Sequence, residues 1–126
     1  MARIPTKQME QAVDKIYKNE NIDVVYFGTY KEHTLKHTRT INNTNVWEYE
    51  HYNTLCCRVV FENGRKKIRV SIGSRCWSMT DSNNINGLLY CLEVPRVRVY
   101  NHNDIRLKID GNKTSYTQIV IEGEYV

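Results

Sequence analysis

The sequence predicts an α+β fold: an antiparallel β-sheet with an N-terminal helix and a second helix after the central hairpin, both on one side of the sheet. Three observations predict it. Met9, Ala12, Val13, Ile16 and Tyr17 recur at the spacing of one helical face. Asn63-Gly64 separates two apolar-rich runs, as in a tight hairpin, because both residues tolerate positive φ. Near the C-terminus, Val97, Val99, Ile105, Leu107 and Ile109 alternate with Arg98, Arg106 and Lys108, the period-two pattern of half-buried strands.

The first helix starts near Pro5 and Thr6, residue types suited to a first turn, and ends at Asn19-Glu20-Asn21. Ile22 to Phe27 is a short strand stopped by Gly28. Residues 29–45, rich in Thr and Asn, read as an excursion or long hairpin. Val46 to Tyr52 and Thr54 to Phe61 are strands, Glu62 to Arg65 a turn, and Lys66 to Gly73 a strand with Ile68, Val70 and Ile72 on one face. Thr80 to Leu92 is the second helix, capped by Thr80 or Asp81, with a core stripe of Ile85, Leu88, Leu89 and Leu92. Pro95 to Tyr100, Ile105 to Ile109 and Tyr116 to Ile121 complete the sheet, with turns at 101–103 and 110–113 and a tail from Glu122 to Val126.

The 126 residues amount to a single domain, 1–126. At 40% hydrophobic and 25% charged residues, the chain can bury a core and is not disordered throughout. No apolar run approaches the ~18 residues of a membrane helix. Met1-Ala2-Arg3-Ile4-Pro5 lacks an apolar stretch, so no secretory signal is expected. The four cysteines Cys56, Cys57, Cys76 and Cys91 form no C-x-x-C pair, so a zinc ribbon or thioredoxin-like motif has no support. Free thiols in a reducing cytosol are expected, with Cys56 and Cys57 on opposite faces of a strand. His33 and His37 have helical i,i+4 spacing but lack the Glu of H-E-x-x-H, so they read as two surface histidines.

The net charge of +4 favours anionic partners mildly. More informative is where the basic residues fall. Lys67, Arg69, Arg96, Arg98, Arg106 and Lys108 occupy outward strand positions, and on one shared sheet they would make a positive free face. The segment from Arg75 to Asn86 places Trp77 just ahead of a helix N-terminus, where unpartnered N–H groups near Thr80 suit phosphate oxygens. Trp77 is a base-stacking candidate and Asn86 a base-edge partner. No G-x-S-x-G, phosphate-binding loop or spaced carboxylate dyad occurs, so a non-enzyme is expected, with no cofactor and no metal.

Tyr52-Asn53-Thr54, Asn63-Gly64, Ile68 to Ile72, Trp77, Ser78-Met79-Thr80 and Ile85-Asn86 resemble a group of small tailed-phage proteins over roughly Tyr52 to Leu92. Within that group the chain is similar to the anti-Thoeris sponge family. The resemblance implies a homo-oligomer, a hexamer, in the host bacterial cytoplasm. Such a protein binds cyclic nucleotide immune signals, chiefly cyclic ADP-ribose isomers, and releases them unchanged. A second kind of site in the family takes cyclic di- or trinucleotides. Carried over, Trp77 stacks on the base and Asn86 is its polar partner, while Arg75, Arg96, Arg98 and Arg106 are the phosphate-binding candidates. Asp81 stands where relatives often have Thr, placing an acid beside the phosphate site. The alternative readings are a DNA- or RNA-binding regulator, using the basic face with Trp47, Tyr49 and Tyr52 as stacking groups, and a protein inhibitor of a host defence complex.

Overall fold

The computed structural model describes residues 7–73, 78–101, 104–114 and 116–122. In chain order the elements are α1 (Lys7–Lys18), β1 (Val24–Phe27), β2 (His33–Arg39), β3 (Asn45–His51), β4 (Thr54–Glu62), β5 (Lys67–Ile72), α2 (Met79–Cys91), β6 (Val97–Asn101), β7 (Asp104–Ile109), β8 (Asn112–Lys113) and β9 (Gln118–Glu122). The α+β class is as predicted, with an N-terminal helix, a large antiparallel sheet and a second helix after the central hairpin.

The strands divide into two sheets. One is six-stranded in the order β1-β2-β3-β4-β5-β9, and the other is β6-β7-β8. A single basic sheet face is therefore ruled out, because Lys67 and Arg69 lie on β5 while Arg96, Arg98, Arg106 and Lys108 belong to the β6–β7 region of the small sheet. The helices lie against each other, α1 over β1 and β2 of the large sheet, α2 chiefly over β6 of the small sheet and also over β4 of the large one.

The helices form for the reasons their sequences give. Met9, Ala12, Val13 and Ile16 of α1 are buried on one stripe, with Lys15 and Lys18 in the last turn where they complement the helix dipole. In α2 the stripe of Ile85, Leu88, Leu89 and Leu92 is almost entirely inaccessible. Each such side chain contributes roughly 1.5–3 kcal/mol of burial. The cap is Ser78, two or three residues earlier than expected: its backbone is extended, and its Oγ accepts from Asp81 N at 3.0 Å. That frees the Asp81 carboxylate for other partners.

The Thr- and Asn-rich stretch is an ordinary antiparallel hairpin. β2 pairs with β3 from His33↔His51 to Arg39↔Asn45, closed by Thr40 and Thr44, whose backbones bond at 2.9 Å. The pattern hid the strand because its buried residues, His33, Thr34 and Leu35, include two polar types. Cys56 and Cys57, expected on opposite faces of a regular strand, are both fully buried. A β-bulge explains this, since the register skips from Tyr49↔Cys57 to Glu50↔Leu55 and leaves Cys56 as the extra residue. Gly73 closes over the bulge, donating to Cys56 O at 2.8 Å, with the Leu55 carbonyl where a Cβ would stand.

Among the described residues, three turns hold two successive residues in the left-handed region. Asn63 and Gly64 have φ of 51° and 73°, and Asp110 and Gly111 have 53° and 81°. The third, Tyr52-Asn53 between β3 and β4, has φ of 51° and 72° with no glycine. A bulky residue is rarely held there, and Tyr52 adjoins the side chains considered next.

Candidate functional site

Arg75 and Trp77, the leading expected ligand contacts, lie outside the described residues, as do the predicted Pro5-Thr6 start and residues 102 and 103 of the predicted turn. Thr80 is exposed in the first turn of α2. Asn86 is spent on structure: its Oδ1 accepts from Val99 N at 2.8 Å and its Nδ2 donates to Val99 O at 3.4 Å, tying α2 to β6. Arg96 makes a two-bond pair with Asp110, both bonds 2.8 Å. Arg98 donates to Val94 O at 3.1 Å and Val97 O at 2.6 Å, and burial lowers its pKa. Arg106 is exposed on β7. Of these five residues, Asn86, Arg96 and Arg98 are engaged in the contacts just given.

The outward face of the large sheet is charge-paired rather than basic. Arg58 bonds Glu48 at 2.8 and 2.5 Å, Lys36 bonds Glu50 at 3.2 Å, and Lys67 and Arg69 approach Glu62 at 3.8 and 4.0 Å. Trp47 and Tyr49 are buried in the core, leaving only Tyr52 of the proposed stacking trio exposed.

At the N-terminal end of α2 lies a buried polar cluster that the sequence did not reveal. His33 opens β2 and His51 ends β3; the two are directly cross-strand, with ring centroids 4.6 Å apart. Asp81, 1% exposed, descends on them from the first turn of α2. His51 Nδ1 sits 3.0 and 3.1 Å from the two carboxylate oxygens. The hydroxyl of Tyr49 donates to Asp81 Oδ1 at 2.7 Å and accepts from Asn84 Nδ2 at 3.0 Å. With that single proton committed to Asp81, the 2.8 Å contact to His33 Nδ1 makes this nitrogen the donor. His33 is thus neither exposed nor helical, contrary to its expected surface position.

Burial, then His51, holds the His33 pKa below its ordinary value, and burial pushes the Tyr49 phenol well above its own. On the far side of His33, Nε2 lies 3.8 Å from Glu32 Oε2. Glu32 is held below the usual carboxylate range by its own backbone amide and that of Tyr30. Gly28, at φ 99°, admits this arrangement, because a Cβ there would run into the Glu32 carboxylate and come within 2.9 Å of the His33 ring. Tyr52 stacks on His51 at 5.1 Å and 19°.

A groove of about 680 Å³ lies elsewhere, beside the C-terminal end of α1. Trp47 is its floor, flanked by Tyr17 at 5.4 Å and His37 at 4.3 Å between ring centroids. His37 Nε2 bonds Asn45 Oδ1 at 3.0 Å. Arg65 closes one end, its guanidinium 4.7 Å over Phe61 and donating to Leu92 O and Glu93 O at 2.9 and 2.6 Å. Arg39 is exposed on the lining, and its guanidinium has no bonded partner among the described residues. Glu20 and Asp23 line the same groove. The one sequence signal for this place was Tyr17, which continues the apolar stripe of α1 yet is 63% exposed.

No helix among the described residues is long and apolar enough to cross a membrane. Comparison with protein-family models, with curated proteins and with solved structures finds no match to this chain.

Proposed function

We propose that this protein is a non-catalytic binder that sequesters a small phosphate-bearing nucleotide, of the cyclic ADP-ribose class that the resemblance implies, and releases it unchanged. The observation that carries the reading is the groove over Trp47, which joins aromatic surface to the exposed guanidinium of Arg39. Its volume falls in the ~300–1,000 Å³ range of small-molecule sites. Exposed Tyr17 supports stacking of a base, worth ~1–3 kcal/mol. Arg39 supports a charge-assisted bond to phosphate. Glu20 and Asp23 offer acceptors for ribose hydroxyls.

Sequestration at ~10 nM requires about −11 kcal/mol. One stacked base and two or three charge-assisted bonds approach that figure when a second subunit encloses the ligand, as the expected homo-oligomer would. The resemblance assigns the base to Trp77 instead, next in the chain to the opposite end of α2, a helix about 20 Å long. The inward-turned Asp81 removes one objection to that location, because the acid is buried against Tyr49 and His51 rather than facing the helix end. The charge pairing of the large sheet's outer face gives no support to the nucleic-acid alternative.

Titration with a cyclic ADP-ribose isomer by calorimetry tests the reading. Saturable binding that depends weakly on salt supports it, with Arg39→Ala and Tyr17→Ala weakening the groove and Trp77→Ala the other location. Absence of heat and of thermal shift with any cyclic nucleotide refutes it. Steep salt dependence with an oligonucleotide makes the protein a nucleic-acid binder through counterion release.

A further inference from the structure

We propose that His33, His51 and Asp81 form a binding site for a divalent transition-metal ion, with zinc as the first candidate. One nitrogen of each imidazole and one carboxylate oxygen already lie within 4.8 Å of one another. Tetrahedral zinc at ~2.0–2.1 Å from each ligand needs ligand atoms about 3.3 Å apart. The His51–Asp81 edge, at 3.0 Å, is close to that distance now. Half-buried His51 supplies the freedom to close the remaining edges.

The ligands come from three different elements, the start of β2, the end of β3 and the first turn of α2. The register fixes His33 opposite His51, and the Ser78 cap fixes Asp81 above them. Asp81 is a fully buried carboxylate with no lysine or arginine bonded to it among the described residues. A cation between the carboxylate and the two rings would compensate that charge.

The surrounding groups also have the arrangement of a metal site. Histidine ligands commonly back onto a carboxylate through the second ring nitrogen, and metal binding would move the His33 proton from Nδ1, which points into the cluster, to Nε2, which faces Glu32 at 3.8 Å. The Tyr49 oxygen, 2.8 Å from His33 Nδ1 and 2.7 Å from Asp81 Oδ1, is positioned as a fourth donor or as an orienting group, and Asn84 holds it. Tyr52, kept at positive φ, stacks on the His51 ring. Two imidazoles and a carboxylate without thiolate favour zinc, nickel or cobalt over calcium and magnesium.

The experiment is titration of the chelator-stripped full chain with Co²⁺, followed by displacement with Zn²⁺. The expected result is one equivalent bound, with visible d–d bands, no thiolate charge-transfer absorption, and loss of binding by at least tenfold in His51→Gln. Asp81→Asn should weaken it likewise. If either variant is unfolded by circular dichroism, proton resonances of the His33 and His51 rings in the unmodified protein give the same answer, since both must shift on adding Zn²⁺. Absence of uptake at 100-fold molar excess of metal, unshifted ring resonances, thiolate absorption, or unchanged binding in folded His51→Gln overturns the proposal and leaves the cluster a hydrogen-bonded core network.

Discussion

The hydroxyl of Tyr49 lies 2.7 Å from Asp81 Oδ1, joining a central strand of the large sheet to the first turn of α2 inside the core. Both residues are almost wholly inaccessible, at 0% and 1% exposure, so the bond forms where water cannot replace it. Tyr49→Phe keeps the ring and deletes the hydroxyl, leaving Asp81, Asn84 and His33 each short of a partner. An unsatisfied buried polar group costs ~1–3 kcal/mol. Urea unfolding of Tyr49→Phe should show a loss in that range, and a stability equal to that of the unmodified protein would contradict the assignment.

Asn86 provides the second prediction. Its amide occupies both the N–H and the C=O of Val99, so Asn86→Ala should release β6 from α2. The expected loss is again ~1–3 kcal/mol. Amide exchange separates this from a ligand role: Val99 N–H should exchange faster in the variant without any ligand present.

How much of this was readable from residues follows from the same two positions. The stripe of α2 and the alternation of β5 are hydrophobic patterns, which a sequence displays directly. Asn86 and Asp81 lie on that same helix as polar residues, and nothing local distinguishes a buried polar side chain from a solvated one. What decides their fate is the strand opposite, Val99 for one and Tyr49 with His51 for the other. The His33–His51 pair was hidden for a related reason. Spacing of four from His33 to His37 resembles a helical face, while the meaningful partner is 18 residues away across a hairpin whose polar strand carries no clear period. The division into two sheets also depends on pairing partners, which alternation alone does not specify.

Burial, with Cys56 adding to it, pushes the Cys57 thiol up to about 12. Native Cys57 should therefore resist a thiol reagent near neutral pH and react only on unfolding. The sign of the linkage follows: a raised folded-state value keeps the proton on the native chain while the unfolded chain releases it. Stability is retained below the unfolded thiol value of ~8.5 and falls as pH rises from there toward about 12. Denaturant midpoints measured across this window should decline, and a flat profile would contradict the burial.

The Arg96 guanidinium, bonded twice to Asp110, lowers that carboxyl below its ordinary value. Its contribution is present above the unfolded value of ~3.9 and is lost as pH falls through the lower folded one. Arg96→Ala should move the Asp110 titration, followed by carboxyl-carbon resonance, back toward the unperturbed value. An unmoved titration would mean the pair does not form in solution.

The groove over Trp47 is proposed to capture its nucleotide without cleaving it. The direct measurement is to incubate the protein with a cyclic ADP-ribose isomer, remove unbound ligand, denature the protein by heat and analyse the released nucleotide by mass spectrometry. Intact ligand should be recovered in proportion to protein, with much less from Arg39→Ala. Recovery of hydrolysed ligand, or of none, would contradict it.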